Sequence, residues 1–240
     1  MSGPGRLAAD RQTAVEWRRL SRLTGVAGLA GTVLVLGPIS AASGQEPGFT
    51  GDAAVVQAFF ASTVGPGFEV GQALTAIGLV VLLWFSTGLA MLLTRAEGVP
   101  PWRSVLLGVT ALPFPILTLN GLWSAASYRS GMGITLDGPT ALLVFDTGNI
   151  AFANGWLSMG GFAAGVGWVV IRTCWAPRWT GWLAVLSGAG LVLCRFGWSV
   201  APWYFPYALW WLLVIGVSIK LLRATSRRNN APVSDQGDKS

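Results

Sequence analysis

Six long apolar stretches, separated by short polar connections, constrain this chain more than any other feature of its sequence. They cover roughly residues 23–44, 67–94, 104–127, 139–171, 180–199 and 204–222. Each is close to or longer than the ~20 residues that an α-helix needs to cross ~30 Å of hydrocarbon. Lipid offers the backbone no hydrogen-bond partners, so stretches of this length favour helices over barrel strands. We predict an all-α fold, a polytopic membrane bundle of about six transmembrane helices.

The composition agrees with burial in lipid. Of the 240 residues, 52% are hydrophobic and only 11% are charged, whereas a soluble domain carries roughly a quarter charged residues. The net charge of +6 does not indicate a nucleic-acid binder. Such proteins gather basic residues on one folded face, and here they lie in short clusters between apolar stretches. The expected partner is the lipid bilayer, not nucleic acid.

The basic clusters also predict an orientation. With the N-terminus inside, the cytoplasmic side receives 14 of the 16 Lys and Arg residues, and only Arg129 and Arg195 fall toward the outside. Positive charge accumulates on the cytoplasmic side of membrane proteins. We therefore predict a multi-pass protein of the cell (cytoplasmic) membrane with both termini in the cytoplasm.

The chain divides into three predicted regions. Residues 1–22 form a basic cytoplasmic segment, and residues 23–222 form the transmembrane domain. Residues 223–240 form a polar tail that we predict to be disordered because it has almost no large apolar side chains. The longest outer loop contains a predicted amphipathic helix at about 52–63, with Asp52 as its N-cap, that lies on the bundle rim.

The first apolar stretch has a second interpretation as a signal peptide. Small residues at positions 40–44 offer a cleavage site. The Arg-rich leader of about 22 residues is long for a signal peptide, which favours a retained membrane anchor. Whether residues 23–44 are cleaved stays open.

Polar residues within the predicted spans concentrate in their outer halves. Helical rise places Asp146 in the fourth stretch ~10 Å below the outer boundary, Arg195 in the fifth ~6 Å and Asn120 in the third ~10 Å. Ionisable groups in hydrocarbon face the bundle interior and pair with one another. We predict an outward-facing polar pocket above an aromatic cavity, with Asp146 and Arg195 as its ion pair. The candidate ligand-binding residues are Asp146, Asn149, Arg195, Asn120, Glu69, Gln72, Trp156 and Trp198.

The same polar residues also have a purely structural interpretation. An Asp146–Arg195 pair can simply clamp two helices, and Arg195 is shallow enough to reach the headgroups.

The fourth stretch would make ~50 Å of helix, far more than a bilayer needs. Either it tilts strongly or it breaks near Asp146, as helices do at some transport sites.

Three functions are compatible with this pattern. The leading one is binding or handling of a small amphipathic or lipid-like molecule in the outward-facing pocket. The first alternative is an intramembrane enzyme, such as an acid-initiated isoprenoid cyclase. Asp146 or Glu69 would be its proton donor, with a carboxyl pKa raised by desolvation. The second alternative is a non-catalytic membrane subunit whose Asp–Arg pair fixes helix packing.

Several chemistries are excluded by residue content. The chain has no histidine, which removes His-ligated haem, His-based zinc sites and His-based nucleophilic triads. Cys174 and Cys194 lie on opposite sides of the membrane in this topology, so neither a disulfide nor a cysteine metal site is expected. No phosphate-binding loop or dinucleotide fingerprint occurs. We expect no metal and no cofactor.

Two motifs resemble those of a known group of proteins. The first is ALLVFDTGNIAF, from Ala141 to Phe152, and the second is PRWTGWL after an Arg-terminated helix, from Pro177 to Leu183. Together they resemble a large set of uncharacterised actinobacterial multi-pass membrane proteins over most of residues 20–222. The resemblance implies a six-helix fold and carries no known reaction.

Overall fold

A computed structural model describes residues 4–42, 47–48, 51–62, 66–98, 122, 133–197 and 202–229. Within these ranges the chain forms six helices and no strands, which confirms the all-α fold. The helices are α1 (Pro4–Ala42), α2 (Ala53–Ser62), α3 (Pro66–Glu97), α4 (Gly138–Thr173), α5 (Arg178–Phe196) and α6 (Tyr204–Asn229). The third predicted span, residues 104–127, lies outside the described residues.

Four of these helices are long and apolar enough to cross a membrane. The crossing segments are Gln12–Pro38, Gly67–Glu97, Arg178–Phe196 and Tyr204–Ala224. Helix α4, with 36 residues, is longer than any of these segments, but it is not among the helices that are apolar enough to cross. The structure therefore indicates a membrane protein, and it supports four of the six predicted spans.

A tight turn folds α4 and α5 into an antiparallel hairpin. Cys174 adopts a left-handed conformation with φ of 53° and ends α4, and its N–H donates to the carbonyl of Val170. This is a common way to end a helix. Helix α5 begins only four residues later, at Arg178. The short connection brings the two helices side by side.

Glycines bring the two helices of this hairpin into backbone contact. Gly160 lies against Gly188, and Gly167 lies against Gly181. A methyl group on Gly188 would lie 2.5 Å from the carbonyl oxygen of Gly160. Small residues at helix interfaces allow the close packing that drives association in membranes. The two contacts are seven residues apart on each helix, which sets the register of the hairpin.

Helices α1 and α3 form a second antiparallel pair, and α6 packs against both pairs. Gly28 of α1 packs against Phe85 of α3 and Ser218 of α6. Helix α6 runs parallel to α4, because Trp203 stacks on Trp156 at one end and Lys220 contacts Trp175 at the other. The main core lies between these helices.

The first part of α4 extends beyond the rest of the bundle. The glycine register places Phe196, the last residue of α5, beside residue 152 of α4. The stacking of Trp203 on Trp156 places the start of α6 beside residue 156 of α4, close to the same level. Residues 138–151, which we call the α4 extension, therefore project roughly 20 Å past the ends of α5 and α6.

The ends of α1 and α3 lie near the same level. From the contact between Gly28 and Ser218, an equal number of residues leads to Ala42 on α1 and to Tyr204 on α6. The contact between Gly78 of α3 and Leu34 of α1 places Pro66 within about two turns of that level. Among the described helices, the four candidate spans thus end near one level, and α4 continues past them.

Helix α2 packs against the α4 extension. Val56, Phe59 and Phe60 form a buried cluster with Ala141 and Phe145. The rings of Phe59 and Phe145 meet edge to face at 6.1 Å. We call this end of the bundle the α2 end. The apolar face predicted for the outer-loop helix is therefore covered by α4.

Aspartate side chains cap the N-termini of α2 and α4. The Asp52 carboxylate accepts a 2.9 Å hydrogen bond from the N–H of Ala54, where the sequence predicts an N-cap. Asp137 accepts a 2.8 Å hydrogen bond from the N–H of Thr140 at the start of α4. Hydrogen bonds from Thr140 hold the pKa of Asp137 below its ordinary value.

Both terminal segments are more helical than predicted. Helix α1 begins at Pro4, within the predicted basic segment, and is continuous with the first span. Helix α6 continues to Asn229, into the region predicted to be disordered from residue 223. An existing helix gains one hydrogen bond for each residue added, so it can extend into a polar sequence. Residues 230–240 lie outside the described residues.

Candidate functional site

Asp146 lies in the α4 extension, and its side chain is half-buried. Its Oδ1 atom is shielded from solvent and has no hydrogen-bond partner among the described residues. A shielded carboxyl oxygen without a donor carries a substantial desolvation cost. Asn149, one turn along, does not supply that donor, because its amide donates to the carbonyl of Phe145 in its own helix at 3.0 Å. Asp146 is thus an open acceptor.

Arg195 pairs with Asn154 and not with Asp146. Its Nε donates to the Asn154 side-chain oxygen at 2.6 Å, which links α5 to α4. The predicted Asp146–Arg195 ion pair is wrong, since no such contact occurs between these two described residues. Asp146 is roughly 12 Å closer to the start of α4 than Asn154 is. The prediction counted depth from assumed outer boundaries, and α4 does not end where α5 does.

An aromatic cluster lies next to the Arg195–Asn154 contact, at the level where the spans end. Trp156 is 1% exposed and stacks on Trp203 with ring centroids 5.3 Å apart. Phe152 meets Trp156, Trp203 and Tyr207 edge to face at 5.6–5.8 Å. Tyr207 in turn contacts Trp211. The rings fill this region by packing on one another, and the Trp156 Nε1 atom has no acceptor among the described residues.

The remaining predicted site residues do not join this group. Glu69 lies in the first turn of α3 and is exposed, and Gln72 is half-buried one turn along. Asn120 and Trp198 lie outside the described residues. The described part of the predicted pocket consists of two groups. Asp146 is nearer the α2 end, and the Arg195–Asn154 contact lies with the aromatic cluster farther from that end.

A separate groove of about 280 Å³ lies between α2 and the segment that precedes α4. Gln57 spans its base by donating a 2.6 Å hydrogen bond to the carbonyl of Leu136. The groove is lined by Gln57, Ala58, Phe60, Ala61, Thr135 and Leu136. None of the predicted site residues borders it, so it is distinct from the predicted pocket.

Metal-ligating residues do not cluster in the part of the chain that the structure describes. Cys174 is exposed in the turn between α4 and α5, and Cys194 is half-buried near the other end of α5. The helix between them keeps the two thiols far apart.

No protein-family model, curated protein or solved structure matches this chain.

Asn154 and Trp203 are the contact residues that the sequence reasoning left out of the site. A usable signal exists in the sequence. Pro177 and its neighbours predict a tight turn after an Arg-terminated helix, and counting back from that turn on both sides places Arg195 beside residues 153–155. Counting from the turn is more accurate here than counting from the end of an apolar stretch.

Proposed function

We propose that this chain is a six-span protein of the cytoplasmic membrane with both termini in the cytoplasm and the α2 end outside. The spatial distribution of charge supports this orientation. Arg95 at the end of α3 lies over the ring of Trp17 in α1 at 5.3 Å, so two basic segments meet at one end of the bundle. Lys220 and the α4–α5 turn lie at that same end. The positive-inside rule assigns it to the cytoplasm.

The two further spans would be residues 104–127 and the second half of α4. From residue 152 to Thr173, α4 covers roughly 33 Å, enough to cross the hydrocarbon. Its low hydropathy fits its central position, because its glycine face is buried against α5 and less of its surface meets lipid. Six spans also keep both termini on one side.

We further propose that the α2 end binds a small amphipathic or lipid-like molecule. The observation that carries this proposal is the Oδ1 atom of Asp146, which is shielded and has no hydrogen-bond partner in the described ranges. It lies in the α4 extension, beyond the aromatic cluster that closes the bundle. A molecule with a hydrogen-bond donor or positive charge in its head would satisfy Asp146. Its apolar part would lie toward the half-buried ring of Phe152, at the edge of the aromatic cluster.

Two alternatives use the same residues. An acid-initiated cyclase would need a desolvated carboxyl acid, and Asp146 fits that role better than Glu69, which is exposed. A purely structural role is favoured by the hydrogen bond from Arg195 to Asn154, which joins α4 and α5. In that case the helix clamp is this polar pair, without Asp146.

The proposed site predicts loss of a retained molecule from the Asp146→Asn variant. The substitution keeps the size of the side chain and removes its charge. The measurement is mass spectrometry of small molecules that co-purify with the protein in mild detergent. We expect retention to fall about tenfold, as loss of a charged hydrogen bond implies, while thermal stability stays close to that of the native protein.

Asp137→Asn is the matched control, because asparagine also caps helices well and Asp137 lies at the start of the same helix. It should retain the molecule at the native level. Equal retention by the native protein and Asp146→Asn would contradict a binding role for Asp146. A more stable Asp146→Asn protein with nothing bound in either form would do the same.

A further inference from the structure

The second half of the chain has a one-sided charge content. From Thr147 to Ser234 there is no Asp or Glu, while seven Lys and Arg residues occur. Arg195 lies near the α2 end, and the other six belong to the opposite end. This contrasts with α1, where Arg19 forms a 3.0 Å ion pair with Glu16. The cations of α4, α5 and α6 must find their counter-charge outside this part of the chain.

Four of these cations form a single layer. Lys220 of α6 donates to the carbonyl of Trp175 in the α4–α5 turn, and its ammonium lies 3.3 Å from the centre of the Trp175 ring. Arg172 and Arg178 are each three residues from Trp175, and Arg223 is three residues from Lys220. All three arginines are exposed. The layer, which we call the basic layer, is roughly 10 Å thick along the bundle axis.

An exposed apolar stripe on α5 leads away from the basic layer toward the α2 end. Its large members are Trp179, Trp182, Leu186 and Leu193, which are 57–69% exposed. These residues are three, four and seven positions apart, so their side chains lie along one face of the helix. Tryptophan prefers the headgroup level of a bilayer, and the leucines lie deeper. The stripe therefore matches the path of an acyl chain.

We propose that the basic layer and the α5 stripe together form a binding site for an anionic phospholipid. Arg172 and Arg178 bind the headgroup phosphate, and the acyl chains lie along Trp182, Leu186 and Leu193. Lys220 positions α6 against the turn, which brings Arg223 into the same layer. Anionic lipids bind basic sites between membrane helices at the cytoplasmic side. This site is at the opposite end from Asp146 and does not depend on a ligand there.

The test is native mass spectrometry of delipidated protein titrated with phosphatidylglycerol or with phosphatidylcholine of the same acyl chains. The native protein should bind phosphatidylglycerol about tenfold more tightly, and Arg172→Gln/Arg178→Gln should abolish that preference. Arg172→Lys/Arg178→Lys should keep most of it because the charge remains. Both positions are exposed, so the fold should be unaffected in either double variant, which thermal unfolding checks.

Arg19→Gln/Arg22→Gln is the matched control, since it removes the same charge from exposed positions of α1 at the same end. It should leave the preference intact. Equal losses in both double glutamine variants would show a general surface-charge effect and overturn the proposal, as would equal binding of the two lipids by the native protein. Displacement of the lipid by an equal concentration of glycerol phosphate would point to a free-phosphate site and also overturn it.

Discussion

The Trp156→Ala variant is expected to lose about 3–5 kcal/mol of unfolding free energy, the range for removing a large buried aromatic side chain. Trp156 is 1% exposed and contacts Phe152 and Trp203 within the aromatic cluster. Alanine would leave a cavity between α4 and the start of α6, and the remaining rings cannot fill it unless those helices move. Reversible unfolding by denaturant in detergent micelles measures the loss.

Trp168→Ala provides the comparison for this variant. Trp168 lies on the same helix but is 58% exposed, so its removal deletes surface facing lipid and leaves no cavity. We expect a change below about 1 kcal/mol. Similar losses for the two variants would show that the aromatic cluster does not pack as described.

Gly188→Ala is expected to cost about 2–3 kcal/mol, the range for overpacking a tight interface. The new methyl group would lie 2.5 Å from the carbonyl oxygen of Gly160 and 2.8 Å from the backbone nitrogen of Ala164. Both neighbours are backbone atoms, so relief requires that α4 and α5 separate along their whole contact. The same unfolding measurement should show the loss, together with lower yield in the membrane.

Gly216→Ala is the control for this interface. A methyl group on Gly216 meets no atom within 4 Å, and alanine is the better helix former, so stability should stay level or rise by up to ~1 kcal/mol. An unchanged Gly188→Ala protein would mean that the glycine contact between α4 and α5 is not close.

The sequence was a good guide to the elements whose signal is local. Apolar stretches about 20 residues long mark α3, α5 and α6 because each of these helices exposes much of its surface to lipid. The short helix α2 (Ala53–Ser62) lies where the sequence predicts an amphipathic helix at about 52–63. In each case the residues that encode the element lie within it.

The relation of one helix to another was less accessible. Equal depth for Asp146 and Arg195 assumed that every span ends at a common outer boundary, and the α4 extension breaks that assumption. Neither a strong tilt nor a break is needed to explain the length of α4, since it is one continuous helix that projects past its neighbours. Its partner α2 comes from a distant part of the sequence, so hydropathy alone could not reveal this contact.

The spacing of small residues indicates which helix positions are in contact, and a hydropathy average does not. The glycines of α4 and α5 recur at seven-residue spacing on both sides of a tight turn, which together define an antiparallel register. That register pairs Arg195 with Asn154. The same register leaves the Oδ1 atom of Asp146 without a partner among the described residues, because α5 ends before it reaches that level.

In the orientation that we propose, the α4 extension projects from the outer face of the membrane and carries Asp146 with it. Labelling of Thr147→Cys by a membrane-impermeant maleimide tests this arrangement, in a background with Cys174 and Cys194 replaced by serine. Thr147 is exposed and adjoins Asp146. Two companion proteins calibrate the result: one keeps Cys174 as its single cysteine, and the other carries Leu186→Cys at the middle of α5.

We predict that Thr147→Cys reacts in intact cells, that Cys174 reacts only after the cells are permeabilised, and that Leu186→Cys resists the reagent in both conditions because it faces hydrocarbon. Reaction of Thr147→Cys only after permeabilisation would contradict the orientation. Failure to react in either condition, with Cys174 reacting normally, would place the α4 extension inside the membrane and contradict the account of the site.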